Sequence, residues 1–206
     1  MATSGYYSIM LRAALLLLIA ITANAASSQA QGGQGAQTDS APRFPPVEGS
    51  SLEGRKFLLP ADFEGELNVV FVAFKREQQA DVMTWTPYVK DAVAKHPGLR
   101  AYEIPTLSRS LRFIRRVIDG GMSRGIPDKT VRETTIPLYI DKAPFERALH
   151  VASEDSIRVL LVARGGRVVW WGDGVYAEPM AAQLTAAIAS AFTAAASARL
   201  DTARDR

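Results

Sequence analysis

Side chains that could perform nucleophilic or acid–base chemistry are few in this sequence and stand apart from one another. The chain has no cysteine in 206 residues and only two histidines, His96 and His150. His96 precedes Pro97-Gly98 in a predicted turn, His150 follows a predicted short helix, and neither lies in an H-E-x-x-H motif or beside clustered carboxylates. No G-x-S-x-G elbow supplies a serine nucleophile. The sequence therefore predicts neither a metal site nor a serine-nucleophile site, and we expect no cofactor.

The densest group of charged side chains is basic and lies on one predicted helix. Its arginines are Arg109, Arg112, Arg115 and Arg116. Such a helix could place its basic rim on an anionic lipid surface or on an acidic protein, which makes these four residues candidates for partner binding. The alternative is a solvated helix face whose arginine stems cover the edge of the core.

The N-terminus has the pattern of an export signal. Arg12 is the only charged residue in the first 38, and it precedes an apolar run at positions 13–23 that ends in the A-x-A pattern Ala23-Asn24-Ala25. We expect residues 1–25 to be a cleaved signal peptide, with a retained anchor or an organelle presequence as the alternatives. A bacterial chain of this kind is periplasmic or extracellular, and nucleic acid is not an expected partner.

Composition indicates one domain between two segments that have little to bury. Residues 26–41 consist mainly of Ser, Gln, Gly and Ala, which predicts a flexible linker. Residues 42–193 have the size of one domain, and residues 194–206 are Ala-rich and then charged, which predicts a frayed helical tail. The formal net charge of +3 favours no class of partner by itself.

Apolar periodicity predicts alternating strands and helices. Strands are expected at 67–75, 99–104, 134–140, 157–163 and 167–171, and helices at 79–96, 108–119, 143–149 and 178–196. Gly165-Gly166 should turn the last two strands into a hairpin. The first two strands should be parallel, and Pro137 should place the third at a sheet edge or at a bulge.

The arginine-bearing helix at 108–119 has an apolar stripe of its own. The stripe consists of Leu111, Ile114, Val117 and Ile118, and it is expected to face the core. Gly120-Gly121 is expected to end the helix.

The order of these elements resembles the thioredoxin-like superfamily. Residues 44–63 are similar to the short hairpin that leads into the first core strand of peroxiredoxin and TlpA-type proteins, and residues 160–174 are similar to their terminal hairpin. The resemblance implies an α/β, three-layer fold: a central mixed sheet with helices on both faces and a C-terminal β-hairpin plus helix.

The same resemblance places the superfamily's active site on this chain. The redox C-x-x-C, or the peroxidatic cysteine, follows the first core strand, where this sequence has Gln79 and Val82. The cis-proline before the hairpin strand corresponds to Ile157, so we expect the peptide bond before Ile157 to be trans. Because thiolate chemistry needs sulfur, these are vacated redox positions.

A narrower resemblance is to the mitochondrial ATP synthase assembly factor family, a cysteine-poor, thioredoxin-like group that works at an energy-transducing membrane. The matching residues are 82–85 (VMTW), 125–127 (GIP), Tyr139 and 167–170 (RVVW) with Gly172 and Gly174. This resemblance implies an assembly role.

Together these patterns predict an exported, non-catalytic protein that binds another protein as an assembly or folding factor for a membrane complex. The alternatives are a redox or antioxidant protein, as homology alone would name it, and a carrier with a small-molecule pocket. Trp170 and Trp171 are adjacent on a strand and must point to opposite faces. An exposed Trp171 would be a further candidate for partner binding, whereas the alternative buries both rings.

Overall fold

The computed structural model describes residues 42–204, with side chains described as far as Ser197. The predicted signal peptide at 1–25 and linker at 26–41 lie outside these residues. The strands are β1 (Val47–Ser50), β2 (Lys56–Leu59), β3 (Leu67–Ala73), β4 (Leu99–Ser108), β5 (Leu138–Ile140), β6 (Arg158–Ala163) and β7 (Val168–Asp173). The helices are α1 (Gln79–Lys95), α2 (Arg115–Gly125), α3 (Lys129–Thr134), α4 (Lys142–Ala148) and α5 (Glu178–Arg204), with 3-10 helices at Arg76–Gln78 and Arg109–Ile114.

Five strands form one mixed sheet in the order β5-β4-β3-β6-β7. The strand β3 pairs parallel with β4 and antiparallel with β6, and β6 pairs antiparallel with β7. These pairings confirm the predicted parallel first pair and antiparallel last pair. The strands β1 and β2 form the separate N-terminal hairpin.

Two apolar layers cover the sheet, because β3 is buried along its whole length and its side chains alternate between the faces. Val70 and Val72 join the layer beneath the β1–β2 hairpin and α4. Val69 and Phe71 join the opposite layer, which α1 and α5 supply with Trp85 and the apolar side of the last helix. The architecture is the predicted three-layer α/β arrangement.

The predicted hairpin turn at Gly165-Gly166 is confirmed, and its backbone conformation explains why both residues are glycine. Both glycines have positive φ, 85° and 90°, a region that other residues rarely adopt. The chain before β1 hydrogen-bonds to the β6–β7 hairpin: Phe44 N donates to Gly166 O at 2.8 Å, and Val168 N donates to Pro42 O at 2.9 Å. This contact covers the start of the edge strand β7.

The segment after β4 differs from its prediction. It begins as a 3-10 helix, capped by the Ser108 side chain, and becomes α-helical only at Arg115. Gly120-Gly121 therefore lies inside α2, and the expectation that it ends the helix is wrong. The expected core stripe is also wrong, because Leu111 and Ile118 are half-buried while Ile114 and Val117 are exposed. The change from about 3.0 to about 3.6 residues per turn rotates one half of the stripe away from the other.

Three other boundaries move by four residues or more. The strand β4 continues to Ser108, beyond position 104. The predicted strand at 134–140 shortens to β5, because α3 occupies the chain as far as Thr134 and Pro137 lacks an amide donor; β5 is the sheet edge, as Pro137 predicts. The helix α5 continues to Arg204, past the predicted end at Ala196.

Within the described residues, the span Glu178–Ser197 of α5 is long and apolar enough to cross a membrane by length and composition, with a mean hydropathy of 1.3. One side of this span packs into the domain core through Ala181, Leu184 and Ile188. Its exposed side consists of alanine and polar residues, and the alanines raise the hydropathy without adding large apolar side chains. The contacts are those of a covering helix on an α/β sheet.

Candidate functional site

The three positions that the resemblance assigned to the redox site, Gln79, Val82 and Ile157, lie at the carboxyl end of β3. Five residues separate the end of β3 from the start of α1, and Ile157 stands just before β6, whose first residue, Arg158, pairs with Val72 near the end of β3. The carboxyl ends of parallel strands are where open α/β sheets bind ligands. The structure thus brings together the three positions that the sequence singled out.

Two of these positions are occupied by packed apolar side chains. Val82 and Ile157 are buried in the same apolar cluster as Trp85, whose indole Nε1 donates to Gly174 O at 3.1 Å. The one cis peptide bond within residues 42–204 is Leu59-Pro60, so the bond before Ile157 is trans, as expected. A side chain at position 82 faces the interior and not an incoming substrate.

Glu103 is a buried carboxyl that the sequence reasoning missed. It lies on β4, and its Oε2 accepts a hydrogen bond from Gln79 Nε2 at 3.4 Å. Its Oε1 is buried without a hydrogen-bond partner. Burial raises the pKa of Glu103, and the Gln79 amide opposes this shift. The available signal was a lone acid between two core residues, Tyr102 and Ile104.

Gln78 holds the connection between β3 and α1 in place. Its side-chain oxygen accepts from Phe74 N at 2.8 Å and Lys75 N at 3.2 Å, and its Nε2 donates to Glu154 O at 2.7 Å. The buried amide therefore ties the start of α1 to the loop before β6. Both segments that frame the vacated site are fixed by one side chain.

A cavity of about 550 Å³ opens near the same end of the sheet, at the ends of β4 and β5. Its charged lining residues are Arg109, Asp141, Lys142, Glu146 and Glu154. Lys142 Nζ donates to Glu154 Oε2 at 2.8 Å and so lowers the pKa of Glu154, whereas burial and the neighbouring Glu154 raise the pKa of Glu146. In the described residues no group of three or more His, Cys, Asp or Glu side chains could hold a metal ion.

Of the four candidate arginines, one forms an ion pair that holds α2 in place, and three have no partner among the described residues. Arg115 Nε lies 3.7 Å from Asp119 Oδ2, and Asp119 Oδ1 accepts from the Tyr139 hydroxyl at 2.7 Å, which joins α2 to β5. Burial, together with Asp119, raises the pKa of Tyr139. Arg109, Arg112 and Arg116 are exposed and make no hydrogen bond or ion pair with any described residue.

Trp171 is separated from the arginines by the width of the sheet. The two tryptophans point to opposite faces, as predicted: Trp170 is buried with α5, and Trp171 is half-buried against the other layer, edge-on to His150 at 6.4 Å. Because β7 and β5 are opposite edges of the sheet, Trp171 and the arginine segment cannot form one continuous patch.

His96 packs on Phe192 as a stacked ring at 5.4 Å.

No protein-family model matches the sequence, and no curated protein sequence matches it either. Solved structures do. BsSco, a member of the Sco family of cytochrome c oxidase assembly proteins, is 13% identical with a TM-score of 0.54, covering 77% of this chain and 99% of its own. A secreted disulfide oxidoreductase of Mycobacterium tuberculosis homologous to E. coli DsbE is 12% identical (TM-score 0.46; 70% of this chain and 96% of its own). The exposed lipoprotein thioredoxin Etrx1 of Streptococcus pneumoniae is 15% identical (0.45; 68% and 97%).

The fold and the site define the class of this protein. It is a thioredoxin-like α/β protein with a mixed five-stranded sheet, a C-terminal hairpin and a closing helix. It lacks the redox cysteines of its structural neighbours, as the sequence predicted. Thiol–disulfide exchange and cysteine-based peroxide reduction therefore have no nucleophile here.

Proposed function

We propose that this chain is an exported, non-catalytic thioredoxin-like protein that acts by binding another protein, as an assembly or folding factor for a membrane complex. The observation that carries the proposal is the filled redox site, where buried Val82 and Ile157 stand in one apolar cluster. A working thiol pair is partly exposed and electropositive in its surroundings. In this chain the strand and helix that surround such a site are present, but buried apolar side chains fill the position of the reactive group.

The surface around the filled site still offers a place for an extended polypeptide. Met83 projects from the first turns of α1 beside Val82 and is 63% exposed. The cavity at the ends of β4 and β5 adds polar groups of both signs. An exposed apolar residue with a polar rim is the usual composition of a protein interface.

Capture from the host's own envelope tests this proposal. The tagged wild-type chain should recover a specific partner, and Met83→Asp should lose it, because a carboxylate at this position would be desolvated on binding. The matched control is Leu58→Asp on β2, at a side chain that is 59% exposed. Both variants should melt within a few degrees of the wild type.

The alternative function, that of a redox or antioxidant protein, is tested directly on the purified protein. Reduction of a protein disulfide and consumption of peroxide should not exceed the buffer rate, since the chain has no thiol. Measurable turnover, or a partner recovered equally by wild type and Met83→Asp, would remove the support for a binding protein that uses this face.

A further inference from the structure

Positive charge is concentrated in one segment, residues 109–125. The segment contains five arginines and one aspartate, a net charge of +4. Since the whole chain has a formal charge of +3, all other residues together sum to −1. The segment is therefore a basic region on an otherwise nearly neutral protein, and its field is not part of a general surface charge.

Large apolar side chains stand among these arginines on the outer side of the same segment. Phe113 is 85% exposed, Val117 72% and Ile114 37%. Phe113 lies near the end of the 3-10 helix and Val117 in the first turn of α2, and both side chains are exposed close to Arg116. The exposed Gly121 continues the segment and adds no side chain to its outer side.

The inner side of the segment fixes its orientation. Leu111 and Ile118 are half-buried, and the contacts from Arg115 to Asp119 and from Asp119 to Tyr139 attach α2 to the edge strand β5. The apolar outer face and its free arginines are therefore held outward by the fold. A solvated helix face would not need to expose a phenyl ring there.

We infer that the outer face of residues 109–125 docks on an anionic lipid surface. Phe113 and Val117 would enter the boundary between headgroups and acyl chains, while Arg109, Arg112 and Arg116 contact the lipid phosphates. The pattern fits a lipid surface better than an acidic protein, because a bilayer presents anionic phosphates directly above its apolar region, so the same surface accommodates the exposed apolar side chains and the arginines next to them. The inference goes beyond the proposed function and does not depend on the identity of the protein partner.

Vesicle co-sedimentation tests the inference. The full chain as isolated from its host should bind vesicles of phosphatidylcholine mixed with phosphatidylglycerol, bind pure phosphatidylcholine weakly, and lose the anionic preference in high salt. Arg112→Glu/Arg116→Glu should lower the partition coefficient at least about tenfold. Phe113→Ser/Val117→Ser should lower it by a comparable factor while keeping the charge. All chains share one N-terminus, so any contribution of that segment cancels.

The controls match each change in kind. Lys90→Glu/Arg164→Glu makes the same charge change at two exposed cations outside the segment, and Leu58→Ser removes one exposed apolar side chain elsewhere. Both controls should bind like the wild type. Melting temperatures of the arginine double variant should be nearly unchanged, since Arg112 and Arg116 have no described partner.

Two results would overturn the inference. If the wild-type protein does not bind anionic vesicles, docking of the segment on a lipid surface is excluded. Equal vesicle binding by wild type and the arginine double variant, combined with loss of partner capture by that variant, would assign the segment to a protein interface. The Met83→Asp capture experiment reports separately on the proposed function, so the two can fail independently.

Discussion

The side-chain amide of Gln79, at the first position of α1, donates to Oε2 of Glu103 on β4 at 3.4 Å. This contact joins the first residue of α1, one of the positions that the superfamily resemblance assigns to redox cysteines, to a buried acid. No other hydrogen bond to the Glu103 side chain is found among the described residues, because its Oε1 is unpaired. The start of α1 is thus coupled to the charge state of one carboxyl.

Glu103→Gln should stabilise the protein at neutral pH. Burial raises the pKa of Glu103 in the native state, so its contribution to stability is full below the unfolded pKa of about 4.3 and is lost as the pH rises through the native pKa. A neutral amide does not pay this cost, and a gain on the order of 1 kcal/mol is expected at neutral pH. Near or below the unfolded pKa the two proteins should unfold alike.

Urea unfolding over a pH series measures this difference. Glu77→Gln, which makes the same charge change at an exposed position, is the control and should leave the stability unchanged within about 0.5 kcal/mol. A wild type that is more stable than Glu103→Gln at neutral pH would mean that the ionised carboxylate is stabilised in the native state.

Gln79→Cys/Val82→Cys should form an intramolecular disulfide on air oxidation. Residues three apart on a helix are neighbours, with Cβ atoms about 5–6 Å apart, so only a small adjustment separates them from disulfide geometry. Mass spectrometry should show the loss of two hydrogens, and each single variant should keep a free thiol. Failure to oxidise would mean that positions 79 and 82 do not correspond to a redox pair.

Arg158→Met should destabilise the fold by about 2–4 kcal/mol. Arg158 is buried, its Nη2 donates to His150 O at 2.6 Å, and its Nε lies 3.1 Å from Asp173 Oδ1. The methionine fills much of the volume but leaves the His150 carbonyl without this donor. Chemical denaturation should show the loss, and Asp173→Ala should cost less in the Arg158→Met background than alone. Arg147→Met, at an exposed arginine, should change stability by less than about 0.5 kcal/mol.

Gly166→Ala should cost more stability than Gly165→Ala. Both glycines have positive φ, so alanine is strained at either position. A Cβ on Gly166 would also lie 2.5 Å from Pro60 Cγ, whereas a Cβ on Gly165 meets no atom within 4 Å. The difference in unfolding free energy between the two variants isolates this collision. Equal losses would show that the hairpin can move away from Pro60.

Several features of the protein were determined by the sequence alone. The lack of cysteine excludes thiol chemistry whatever the fold. The continuous apolar run of β3 predicted a central strand, and Gly165-Gly166 predicted the hairpin, because both are consequences of local backbone preference and burial pattern. Pro137 predicted an edge strand or a bulge for the same local reason, and the strand lies at the edge.

The tertiary structure decided which faces are covered. Leu111, Ile114, Val117 and Ile118 have helical spacing, yet only Leu111 and Ile118 turn inward, because the helix starts in 3-10 form and β5 meets just one side of it. Glu103 and Gln79 are 24 positions apart, and no local pattern pairs them. Periodicity is a property of neighbouring residues, whereas burial depends on elements far away in the chain. The outward position of Phe113 and its arginines follows from that long-range packing.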